Sequence, residues 1–181
     1  MSIPSRESSK QLLHQYIESE SLINHSEMVA QAMEAYATEL GKDSNTLEHW
    51  WTAGYLHDLD WEKYPKEHPN KAVQDILPRN GYPKKVIDAI KAHAPERTGK
   101  EPETEIERYL YACDELSGFM YAVSLMRPNN FSDMKVKSVT KKLKDTKFAA
   151  NVPRDDINKG ATLIGKELKN HILFMINVFR R

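Results

Sequence analysis

A single cysteine, Cys113, stands in a chain of 181 residues. No disulfide can close within it, which excludes a disulfide-stapled secreted scaffold and a cysteine-rich zinc module. A reducing, cytoplasmic setting is expected. Long apolar runs are missing too: the longest, Ile172 to Phe179, is interrupted by Asn177 and is far shorter than the ~18 residues a bilayer-spanning helix needs. The opening segment MSIPSRESSKQLLHQ lacks the apolar centre of a signal peptide. Neither sign of charge dominates, with 26 Lys plus Arg against 26 Asp plus Glu, so no global field argues for nucleic acid or a membrane as partner. Only seven glycines occur, none in a phosphate-cradling loop, and alternating β-branched runs between turn signals are absent.

What is present is helical periodicity. Leu22, His25, Met28, Val29, Ala32, Met33, Tyr36, Ala37 and Leu40 repeat at three-and-four spacing and stop at Gly41, the residue type favoured just past a helix end. Ser44 or Asn45 is the expected cap of a second helix whose inward face runs Leu47, Trp50, Trp51, Gly54, His57, Asp58. Pro69 and Pro83 each suit a first helical position, opening short helices towards Leu77 and His93. The longest helix is expected from Thr104 to about Met126, ended by Arg127 and Pro128. A lysine-rich helix follows near Val136 to Lys144. From Pro153 the positions Ile157, Ala161, Ile164, Leu168, Ile172, Met175, Ile176 and Phe179 read as one long amphipathic helix. The prediction is an all-α bundle of seven or eight helices forming one domain over 1–181.

His25, His57, Asp58 and Asp114 break the apolar stripes of three of these helices. A carboxylate in such a stripe must find a cation or become neutral, and Asp114 has no Lys or Arg one turn away on its own face. Taken singly, each is explained as well by a hydrogen-bonded core position. Taken together, two imidazoles and two carboxylates favour a divalent metal, which accepts both donor types. His68 and His93 lie at a helix start and a helix end, where histidine is often just an exposed polar residue. His14, His49 and His171 lie among charged or polar neighbours and are assigned to the surface.

The segments INHSEMVAQA, AGYLHDLDW and YACDELSGF resemble the HD-domain superfamily of metal-dependent phosphohydrolases, in its order of a His, a HisAsp pair and a distant Asp. The resemblance covers roughly residues 20–126 and implies a helical fold with a metal site. The two-metal branch adds two histidines between the pair and the last Asp, and His68 and His93 match their placement. It therefore implies six ligands, His25, His57, Asp58, His68, His93 and Asp114, with Asp58 bridging two ions drawn from Mn, Fe, Co, Ni, Mg or Zn. Residues 127–181 form a helical extension resembling the tail of a bacterial subset of small HD hydrolases.

The activity so implied is hydrolysis of a small phosphate ester or nucleotide by metal-activated water, with Asp58 catalytic. One departure bears on the substrate. Many relatives continue the pair as HisAsp-Ile-Gly-Lys, whereas this chain has Leu59, Asp60 and Trp61, so the lysine near the phosphate is missing. Lys63 and Arg127 are the candidate substrate-binding cations. Lys135, Lys137, Lys141, Lys142, Lys144 and Lys147 read as a solvated face, diluted by Asp133 and Asp145. The rival readings are a di-iron oxygenase on the same ligands, and a non-catalytic regulatory or nucleic-acid-binding module.

Overall fold

Helix punctuation in the sequence is carried into the computed structural model, which describes residues 3–180. The helices are α1 (Arg6–Tyr16), α2 (Glu20–Glu39), α3 (Ser44–Leu56), α4 (Leu77–Arg79), α5 (Lys84–Ala92), α6 (Pro95–Thr98), α7 (Glu105–Leu125), α8 (Val136–Leu143), α9 (Arg154–Leu163) and α10 (Leu168–Phe179). A π-helical segment, Ala72–Ile76, leads into α4. No strand occurs among the described residues, and none of their helices is long and apolar enough to cross a membrane.

The all-α class holds, with more helices than the seven or eight expected. Two of the additional ones are single turns, and α1 has little apolar signal, burying only Ser9, Leu12 and Leu13. The expected long C-terminal helix is two: after Ile164 the chain passes through Gly165 at φ +66° before α10 starts. Left-handed backbone at a helix end suits glycine, and apolar spacing resumes beyond it, which hid the break. The cap of α3 is Asp43, whose carboxylate accepts from the Thr46 amide at 2.7 Å, rather than Ser44 or Asn45. Pro69 stands directly before a short helical stretch, as expected: residues 70–71 are helical, the Val73 amide donates to the Pro69 carbonyl at 3.1 Å, and the chain then passes through the π segment into α4. There the carboxylate of Asp60 takes the Ala72 amide at 2.7 Å.

Two close crossings set the geometry of the centre. A Cβ on Gly54 of α3 would lie 2.9 Å from the backbone of Ala30, so α2 and α3 touch through glycine. On α9, a Cβ at Gly160 would lie 2.7 Å from the Ala112 Cα of α7. At the start of α7, Glu107 accepts from the amides of Glu103 and Thr104 at 2.8 and 2.9 Å, and it pairs with Lys100 at 3.0 Å. The third tie is a correction. His171, assigned to the surface, is fully buried; Tyr36 Oη lies 2.6 Å from its Nδ1, and its Nε2 donates to the Ala112 carbonyl at 2.9 Å. His171 shares the face of Leu168, Ile172 and Met175, so it joins α10 to α2 and α7.

Candidate metal centre

Five pieces of chain converge on one cavity. His25 projects from the second turn of α2, His57 and Asp58 leave the end of α3, His68 sits in the following turns, His93 ends α5 and Asp114 lies within α7. All six residues singled out as candidate ligands come together. His25 Nε2 lies 3.1 Å from His57 Nε2 and 3.0 Å from Asp114 Oδ1, and His57 Nε2 is 3.3 Å from that same oxygen. Asp58 Oδ2 is 3.4 Å from His57 Nε2 and 3.7 Å from His25 Nε2. The other Asp58 oxygen, Oδ1, is 3.4 Å from His68 Nε2 and 3.8 Å from His93 Nε2, which are 3.2 Å apart. His25, His57 and Asp58 form one donor group, Asp58, His68 and His93 a second, and Asp58 belongs to both.

The donor chemistry asks for cations. His57 Nδ1 donates to the Gly54 carbonyl at 2.8 Å, His93 Nδ1 to the Ile90 carbonyl at 2.5 Å, and His68 Nδ1 to the buried Asp60 carboxylate at 2.7 Å. Each bond places the proton of the neutral ring on Nδ1 and leaves a lone pair on Nε2. The Nε2 lone pairs of His68 and His93 face each other at 3.2 Å and repel unless positive charge lies between them, and His57 turns its Nε2 to that of His25 at 3.1 Å. Donors about 2.1 Å from one ion at tetrahedral or octahedral angles are spaced about 3.0–3.4 Å apart, which most of these distances match. Titration follows the same demand. Burial disfavours the charged form of His57, yet the carboxylates of Asp58 and Asp114 outweigh it and hold the imidazole well above its usual value. Burial would raise Asp58 and Asp114, but the neighbouring imidazoles, His57 foremost, hold both below the usual carboxylate range. Burial pushes His93 down to about 4.

The cavity has a volume of about 300 Å³. Above the donors its walls are Trp61, Ala94, Glu96, Arg97, Tyr111, Glu115, Asn151 and Asp156, residues that sequence reasoning missed as site residues because they come from separate stretches with no shared pattern. Arg97 donates to the carbonyls of Pro65 and His68 and stacks over Trp61, while Trp61 meets His68 edge-on at 4.9 Å. Burial, helped by Asp114 and Asp156, pushes Glu115 up to about 8.

Neither proposed phosphate-binding cation is in this cavity. Lys63 is exposed, and its ammonium donates to the Gln15 carbonyl at 2.5 Å and lies over the Tyr16 ring. Arg127 follows Asp114 by thirteen positions, about 20 Å along a helix axis. Its guanidinium binds Asp133 and Ser138 beside the lysines of α8. In place of the absent lysine motif, Asp60 accepts from both His68 and the Ala72 amide, and so orients one candidate ligand.

Against known families, the HD domain matches residues 22–118, more than half of the chain and inclusive of all six donors. No curated protein and no solved structure matches.

Proposed function

Because the chain belongs to the HD-domain family, a superfamily of metal-dependent phosphohydrolases, we propose that it hydrolyses a small phosphate ester at two divalent ions. His25, His57, Asp58 and Asp114 would hold one, and Asp58, His68 and His93 the other. The observation that carries this reading is the pair of close Nε2–Nε2 imidazole contacts, one on either side of one shared carboxylate. Bound metal supplies Lewis acidity for the phosphoryl oxygens and a water acidified towards neutral pH. The chain supplies the rest. Asp58, with an oxygen towards each donor group, would contribute to both metal sites and is the residue on which turnover should depend most. Gly54, Ile90 and Asp60 fix the three imidazoles that they accept from, so the donors need no reorganisation when substrate arrives. Trp61 and Tyr111 wall the cavity above the donors.

The deciding experiment is elemental analysis of anaerobically purified protein, followed by a phosphatase assay under nitrogen with Mg, Mn, Co or Ni. Hydrolysis changes no oxidation state, so turnover without oxygen is the expected result. Oxygen consumption by the iron-loaded protein, with no ester hydrolysed by any other metal, would show an oxygenase on the same ligands.

A further inference from the structure

The metal donors form only the floor of the cavity, and one of its walls comes from outside the matched domain. Asn151 and Asp156 belong to the C-terminal extension, beyond residue 118, and both line the cavity. Their place is set by the crossing of α9 on α7: Gly160 packs on the Ala112 backbone, and Asp156, one turn earlier on the same face, comes over Tyr111. Tyr111 Oη donates to Asp156 Oδ1 at 2.7 Å, which fixes the carboxylate. No salt bridge to Asp156 occurs among the described residues. Lys159, the cation one turn on, pairs with Glu101 at 3.1 Å, and Arg97 at the rim makes no salt bridge to Asp156, its Nη1 donating to the Pro65 and His68 carbonyls and its guanidinium lying over Trp61. The wall facing the floor thus carries an uncompensated carboxylate in Asp156, with the Glu115 carboxyl and the Asn151 amide beside it.

From this juxtaposition we infer that Asp156 determines specificity, selecting phosphate monoesters whose alcohol part carries hydrogen-bond donors, hydroxyl or amine, and no second anionic group. The inference rests on the phosphohydrolase reading for the phosphate end alone. A phosphate on the floor points its alcohol at Asp156. A hydroxyl or ammonium there donates to the carboxylate, whereas a carboxylate or further phosphate meets like charge, which disfavours its binding. The cavity, at the small end of the range for small-molecule sites, suits a short alcohol.

Three esters of one length test this: phosphoethanolamine, 2-hydroxyethyl phosphate and phosphoglycolate, which end in an ammonium, a hydroxyl and a carboxylate. With manganese-loaded protein, kcat/KM for the first two should exceed that for phosphoglycolate by ~10-fold or more, as one unfavourable charge contact implies. Asp156→Asn should remove most of that preference, through KM more than kcat, and Asp156→Glu should retain it. Where no ester is turned over, calorimetric Kd values for the same trio must show the same order, so failed hydrolysis and a failed wall are separate results. Phosphoglycolate accepted as well as the others, an unchanged order in Asp156→Asn of parental helicity, or no binding of any of the three would overturn the inference.

Discussion

Asp58 directs one oxygen towards each imidazole pair, and no neutral side chain can do both. Asp58→Ala should therefore abolish metal-dependent hydrolysis and release at least one ion, a loss exceeding the ~10–100-fold that supporting residues cost. His14→Ala, on the exposed face of α1, is the control and should match the parent in activity and metal content. Replacing both His68 and His93 by Ala should lower the stoichiometry from about two ions per chain to about one while the helices persist; a parent that binds one ion would confine the ligands to His25, His57, Asp58 and Asp114. Asp60 needs two acceptor oxygens, for His68 and for the Ala72 amide, and asparagine has one. Asp60→Asn should weaken metal binding on the His68 side by ~10–100-fold, read by metal titration, with unchanged affinity as the contrary result. Four of the candidate ligands were legible in the sequence because two imidazoles and two carboxylates on apolar stripes are anomalous together, whereas His68 and His93 stood out only through the family resemblance. Lys63 and Arg127 show the other side of this: a charge near a motif carries no direction, and both ammonium and guanidinium face away from the cavity.

Helix faces were legible where apolar spacing was regular, as in α2 and α7, and much less so where a helix end depends on one residue. Gly165 is a sequence-level stop signal, but the spacing Ile164, Leu168, Ile172 continues straight across it and masks the break. His171 was misread from its polar neighbours Lys169 and Asn170, although its spacing from Leu168 and Met175 already placed it inward. The wall of the cavity was illegible for another reason, since Tyr111 and Asp156 meet only through the crossing of α9 on α7, and Trp61 reaches it separately from the turns after α3. Glycine decides these crossings. Gly160→Ala would force a methyl within 2.7 Å of the Ala112 Cα, and should cost about 1–3 kcal/mol in chemical denaturation. Gly118, in the interior of α7, is the contrast: its Cβ would meet only the His25 ring, at 3.7 Å or more. Gly118→Ala should stabilise by ~0.5–1 kcal/mol, the helix preference for alanine.

Over the whole molecule, the buried His171 makes stability depend on acidity. Burial pushes its imidazole down to about 4, with the Ala112 carbonyl opposing that shift and Lys166 adding to it; Tyr36 is the other titratable group against the ring. The unfolded chain takes up its proton near the ordinary value of about 6.5, so between the two values it holds more protons than the folded one. This contribution is complete above pH ~6.5 and is lost as pH falls towards 4, at roughly 1.4 kcal/mol per pH unit at its steepest. Urea denaturation in chelator should show a steeper loss from pH 6.5 to 4 for the parent than for His171→Gln; parallel curves would contradict this. The packing that buries His171 also holds the extension against α7, and so places Asp156 over donors that all lie within residues 22–118. On the proposed function and the specificity inferred for Asp156, chemistry and choice of substrate are written in different parts of one gene. An insertion or exchange between 119 and 181 can retune what is accepted while the ion-holding half is inherited unchanged, so descendants of this chain can diverge in diet without relearning how to cut.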